Sequence, residues 1–173
     1  LVAAGDAQHG KVIGDDDLAV LGVTGGNQVG RNRFTALDSD MPTAPETEED
    51  LDELLTYPDT RELFHELIER YALRSGVSGI QPKVLLAAHE RGSLAAKQYL
   101  VKAWGTEYPQ LAANEFFCMT AVKKAGLPVP DYYLAENGGL FIMRRFDLDA
   151  NNAPLGFEDF CGLQALGTAQ KYA

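Results

Sequence analysis

A chain of 173 residues, 46% hydrophobic and 23% charged, is long enough to bury a core and too apolar to be disordered. Its formal net charge of −10 excludes broad nucleic-acid binding by the chain itself, because an acidic surface repels phosphate backbones. Cys118 and Cys161 lie far apart without CxxC spacing, which excludes the usual zinc patterns and suits a reducing cytoplasm, and neither a signal peptide nor a membrane-length apolar run is present.

Residues 1–45 alternate short apolar pieces with glycines and predict short strands and turns, a small β-rich subdomain. Gly22-Val23-Thr24-Gly25-Gly26 lacks the helix that should follow a phosphate loop. Met41-Pro42-Thr43-Ala44-Pro45 marks a break. The acidic run over 46–53 then predicts a helix start, with Thr47 and Asp50 at capping-box spacing and carboxylates suited to the helix dipole. Thr60 is the expected cap of a second helix. On it Leu63, Phe64, Leu67, Ile68 and Tyr71 form one apolar stripe, and His65 falls off that stripe towards solvent. Residues 46–74 thus read as a helical connector.

Next comes Ser75-Gly76-Val77-Ser78-Gly79-Ile80-Gln81-Pro82-Lys83. Small residues let backbone N–H groups approach an anion closely, and Lys83 closes the stretch with a positive charge. Read locally, it is first a glycine turn before a strand, and its neighbours decide for the phosphate loop. Val84-Leu85-Leu86-Ala87-Ala88 and Gln98-Tyr99-Leu100-Val101-Lys102-Ala103-Trp104 predict an antiparallel hairpin around the polar turn at 89–93. Lys102 stands among apolar neighbours, where a pocket-facing lysine has an anion to neutralise. Pro109 opens a helix that Gly126 and Pro128 end, and Glu115 interrupts its apolar face of Leu111, Met119 and Val122. A carboxylate there needs a cation, and Lys102 is the nearest in the preceding strand. Residues 131–136 and 139–143 predict two strands joined by Asn137-Gly138. Arg144-Arg145-Phe146-Asp147 then leaves for a loop, and a last helix is expected from Phe157 to about Leu166.

In this order the parts match the small lobe of a protein-kinase-like fold. Nucleotide phosphates need backbone N–H groups over them and a lysine beside them, and a helix glutamate holds that lysine in place. The usual kinase GxGxxG loop is absent. The expected class is α+β, an antiparallel sheet with packed helices, preceded by the β-rich subdomain.

The stretch 75–83, Tyr99-Leu100-Val101-Lys102, Asn114-Glu115, Ala125-Gly126-Leu127-Pro128-Val129-Pro130, Arg145-Phe146-Asp147 and Glu158-Asp159-Phe160 together resemble the HipA family. These are bacterial serine/threonine kinases that act as toxins of type II toxin–antitoxin systems and are linked to persistence. The resemblance covers residues 75–173. It implies a small lobe over 75–147 and the start of a large lobe over 148–173, with 1–45 in the family's amino-terminal subdomain. It implies ATP as cofactor, with Ser78, Gly79, Ile80, Gln81, Pro82 and Lys83 over the phosphates. Lys102 would contact those phosphates, Glu115 would pair with Lys102, and Arg144, Arg145 and Phe146 would form the hinge that meets the adenine.

Autophosphorylation of Ser78 is also implied. The other serine of the family's serine–apolar–serine pattern is Gly76 here, and Ser75 is one step out of register. A phosphate on Ser78 would add about −1.5 to −2 charge where ATP's phosphates belong. The implied partners are a cognate antitoxin with a DNA-binding fold and a protein substrate of the aminoacyl-tRNA synthetase class, in the cytoplasm and away from membranes. No catalytic residue and no metal ligand is expected in this chain, since Asp149, Asn151, Asn152 and Asp159 lack the catalytic-loop context. The catalytic aspartate and asparagine and the Mg²⁺-binding aspartate are expected further on. A start at Leu1 and an end at Ala173 read as the amino-terminal part of a longer kinase, inactive by itself. Two other readings stay open: a non-catalytic kinase-like lobe that binds a partner, and a small-molecule phosphotransferase.

Overall fold

The computed structural model describes residues 47–71, 83–103, 109–158, 160–166 and 170. These residues form an α+β unit. In chain order its elements are β1 (Glu49–Asp50), α1 (Leu51–Thr56), α2 (Thr60–Tyr71), β2 (Lys83–His89) and β3 (Lys97–Ala103), then α3 (Leu111–Lys124), β4 (Tyr132–Leu134), β5 (Leu140–Arg144) and α4 (Phe160–Leu163). The strands make one five-stranded sheet in the order β1-β2-β3-β5-β4. It is mixed rather than wholly antiparallel, because the two-residue β1 pairs parallel to the end of β2. The expected β-rich subdomain at 1–45 lies outside the described residues.

Local chemistry starts the first two helices, with caps other than the expected ones. Asp50, not Thr47, caps α1: its Oδ1 accepts from the Glu53 N–H at 3.1 Å. Thr47 instead meets the Tyr71 hydroxyl. Asp59, not Thr60, caps α2, accepting from the N–H groups of Arg61 and Glu62, while Thr60 is itself buried in the first turn. With Asp59 accepting from the first N–H groups, Thr60 is left to pack in the first turn. The apolar stripe of α2 is as the periodicity predicts, with Leu63, Phe64, Leu67 and Tyr71 buried and His65 exposed. Around β1, Glu48 pairs with His89, and Glu49 takes a hydrogen bond from Arg70 at 2.6 Å.

Period-two alternation divides the sheet into two faces. Val84, Leu86 and Ala88 of β2, Tyr99, Val101 and Ala103 of β3, and Leu140 and Ile142 of β5 pack with Leu51, Leu54, Leu63, Phe64 and Leu67 in one core. Residues 51–71 thus supply helices to the core itself. The intervening residues point the other way, towards α3, which rests on β3, β4 and β5. Of these, Leu85, Leu100 and Phe141 are buried.

α3 differs from its predicted outline. Gln110 precedes it with a left-handed backbone (φ 62°) and no side-chain cap. Only Leu111 and Ala112 are buried; Val122, expected on the inner face, is exposed, as is Phe117. The helix touches the sheet along one narrow side, so its last turns project beyond the covered surface. It ends in a Schellman motif: Gly126 takes φ 84° while Leu127 N–H donates to Val122 O and Gly126 N–H to Lys123 O.

β4 is shorter than predicted, β5 is shifted by one residue, and their connection carries tertiary contacts. Gly138 is left-handed (φ 75°), and Asn137 Nδ2 donates to Pro58 O at 3.1 Å, tying the turn to the α1–α2 connection. The last helix begins at Phe160 rather than Phe157 and has four residues. Among the described residues no helix is long and apolar enough to cross a membrane.

Candidate functional site

Lys102 lies in β3 between Val101 and Ala103, both buried in the core, so the pleat turns its side chain to the α3 face. There Lys102 Nζ donates to Glu115 Oε1 at 2.5 Å. Glu115 stands one turn beyond Leu111 and Ala112, the residues that anchor α3 on the sheet. The side chains keep 17% and 26% of their exposure, which leaves water beside the pair and a smaller desolvation cost than full burial. A charge-assisted bond of this kind fixes an ammonium group at one place on the sheet.

The Cα partner of Lys102 across β2 is Lys83, and across β5 it is Phe141. Lys83 and Lys102 therefore leave the same face side by side. Like charges opposed on adjacent strands repel, and an anion on that face offsets the repulsion. Ser78, Gly79, Ile80, Gln81 and Pro82, the rest of the expected phosphate loop, lie outside the described residues.

Arg144, Arg145 and Phe146 follow β5. Arg144 is the Cα partner of Tyr99, so its side chain leaves on the α2 side of the sheet, away from Lys102, and stands 3.9 Å from Asp131. The Arg145 N–H donates to Gln98 O at 2.9 Å. Its side chain makes a two-pronged contact with Asp147, Nε to Oδ1 at 2.9 Å and Nη2 to Oδ2 at 2.6 Å, with both side chains almost fully buried. Asp147 O accepts from Leu155 N–H at 2.7 Å, which folds the intervening loop back on itself. Phe146 is exposed and meets Phe157 edge-on at 5.2 Å. An open cleft of about 320 Å³ lies beside this exit, lined by Val129, Pro130, Asp131, Arg144, Leu148 and Asp149 among others. Lys102 and Glu115 do not line it.

A second polar cluster sits at the far end of β3. Glu90 accepts from Lys97 at 2.5 Å and from the Tyr99 hydroxyl at 2.8 Å. The hydrogen bond from Lys97, then that from Tyr99, holds the Glu90 carboxyl below the usual carboxylate range. Burial, then the bond to Glu90, pushes the Tyr99 phenol well above its ordinary value. These groups keep fixed protonation near neutral pH and staple the hairpin.

Two residues escaped sequence reasoning. Asp147 was visible in the Arg145-Phe146-Asp147 motif, but nothing in that spacing announces a buried pair. Tyr132 looked like one more strand aromatic, yet it contacts Phe116, Thr120 and Phe141.

A family model described as the HipA-like C-terminal domain matches residues 75–173. A Haemophilus influenzae protein named "Putative kinase" is 32% identical over 106 residues, which are 56% of this chain and 30% of that relative. The chain therefore spans less than a third of the length of the curated relative it matches.

Proposed function

The chain belongs to the HipA-like C-terminal domain family, and on that premise we propose that residues 75–147 form the nucleotide-holding small lobe of a serine/threonine protein kinase. The observation that carries this reading is the Lys102–Glu115 ion pair beside Lys83 on one face of the sheet. A lysine strand, then a helix bearing a glutamate, then the β4–β5 pair beside that strand, is the order expected of a kinase-like small lobe and supports the same fold reading.

Bound ATP supplies the γ-phosphoryl group for transfer. Lys102, held by Glu115, and Lys83 bind its phosphates as two adjacent cations. Backbone N–H groups of residues 78–81 would cover the phosphates, and Ser78 would be the site of an inactivating autophosphorylation. Backbone groups at 144–146 meet the adenine, with Arg145 locked to Asp147 so that the exit from β5 keeps its shape. Mg²⁺ ligands and the catalytic aspartate belong to the further part of a protein of the relative's length. An acidic chain leaves DNA contact to an antitoxin partner, and the substrate is a protein, of the aminoacyl-tRNA synthetase class.

The test is calorimetric titration of Mg·ATP into the longer protein and its Lys102→Met variant, with phosphopeptide mass spectrometry of the same protein. Binding that Lys102→Met abolishes, and phosphate on Ser78, are expected. Equal affinity in both proteins would sink the reading. A second reading, a non-catalytic lobe that binds a partner, is favoured by the exposed Leu155, Phe157, Phe160, Leu163 and Leu166 near the end of the chain. A longer protein that captures its antitoxin yet binds no nucleotide would establish it.

A further inference from the structure

Glu115 reaches Lys102 only when α3 lies at one height and angle over the sheet, and little of α3 is buried to hold it there. Its first turn is anchored by Leu111 and Ala112, while Phe117, Cys118 and Val122 are exposed and the N-terminal end has no side-chain cap. Tyr132, the first residue of β4, makes contacts along the middle of the helix. Its ring meets Phe116 edge-on at 5.4 Å and lies 6.4 Å from Phe141. Its hydroxyl donates to Thr120 Oγ1 at 3.1 Å, and Thr120 donates in turn to Phe116 O at 2.8 Å. Lys123 Nζ stands 5.7 Å from the ring centroid. Phe116 adjoins Glu115 in α3, and Phe141 is the Cα partner of Lys102 in the sheet. One phenol thus packs against the neighbour of each member of the ion pair.

We infer that Tyr132 is a positioning residue for the Lys102–Glu115 pair, clamping α3 so that Glu115 reaches the ammonium group. It acts through Phe116 and Phe141. Its consequence for nucleotide binding rests on the reading proposed above; the coupling between Tyr132 and Lys102 does not.

The experiment measures how fast acetic anhydride acetylates Lys102 in the full chain, read by peptide mass spectrometry. A lysine held by a carboxylate is shielded from acylation. Lys97, held by Glu90 at the other end of β3, serves as internal reference. Tyr132→Leu should raise the Lys102 rate about fivefold and leave Lys97 unchanged. Tyr132→Phe keeps the ring, loses the hydroxyl bond and should raise it about twofold. Glu115→Gln should raise it at least as far as Tyr132→Leu, and the double variant should go no further, because both changes break the same bond.

A wild-type Lys102 rate in Tyr132→Leu would overturn the inference, as would multiplicative effects of the two substitutions. If Tyr132→Leu exposes both lysines alike, the fold is lost and Thr120→Val decides. That variant keeps the Tyr132 ring but removes the acceptor of the phenol together with the Thr120–Phe116 bond, and a Lys102 rate unchanged in it would reject the clamp. Titration of the longer protein with Mg·ATP keeps the two readings apart. No binding by that protein rejects the nucleotide reading and leaves the Lys102 rates to judge the clamp.

Discussion

Arg145 and Asp147, two positions apart, close a two-pronged ion pair whose side chains retain 3% and 1% of their exposure. A buried charge has little water to solvate it, so removing its main opposite charge leaves it poorly compensated. Arg145→Ala or Asp147→Ala should each cost about 3–5 kcal/mol in urea unfolding, by the usual penalty for breaking a buried pair. Arg145→Met with Asp147→Leu should cost less than either single change. A double variant as unstable as the worse single one would show that the pair itself, and not the orphaned charge, carries the effect.

For Lys102 and Glu115 the expected effects separate stability from binding. Both side chains are partly exposed, so Glu115→Gln should change unfolding free energy by no more than about 1 kcal/mol. On the proposed reading the same variant should weaken Mg·ATP binding about tenfold, the size of one lost charge-assisted contact. Paired urea and calorimetric titrations check this, and parallel losses in both would point to a structural role alone.

Stability should fall at both ends of the pH scale through the cluster on Glu90. The Glu90 carboxyl is held below its ordinary value of 4.5 in the folded chain, chiefly by Lys97 and then Tyr99. The unfolded chain therefore takes up that proton first as pH drops, and this contribution, complete above pH 4.5, is lost as pH falls through the lowered value. The Tyr99 phenol is raised, so its contribution is complete below pH 10 and is lost as pH rises beyond it. Urea midpoints against pH should show an acid slope that Glu90→Gln flattens.

The Asp59 carboxylate satisfies two N–H groups at the start of α2. Asp59→Ala should lower stability by about 1 kcal/mol, the typical loss for an N-cap. Thr47→Ala, which touches no helix N–H in the structure, should leave the helix signal in circular dichroism unchanged. A larger loss of helix from Thr47→Ala than from Asp59→Ala would contradict the assignment of the caps.

Short-range chemistry made much of this molecule legible. The stripe Leu63, Phe64, Leu67 and Tyr71, the alternation in β2 and β3, and the glycine end of α3 follow from side-chain period and backbone freedom, which are properties of a few neighbouring residues. Even the Lys102–Glu115 contact was readable, because a charge interrupting each of two adjacent apolar elements has few places to find its partner. The caps were misplaced by a few residues because threonine and aspartate both suit the position, and packing chose between them.

The sequence by itself determined the α+β class, the stripes and alternations that bury the core, and the pairing of one lysine with one glutamate, since each is encoded in local pattern and charge. Tertiary structure alone decided the parallel β1, the turn to which Asn137 is tied, the burial of Arg145 with Asp147, and the reach of Tyr132 across to α3. Those contacts join residues through space at angles set by how the helices settle on a twisted sheet, and no periodicity carries that information.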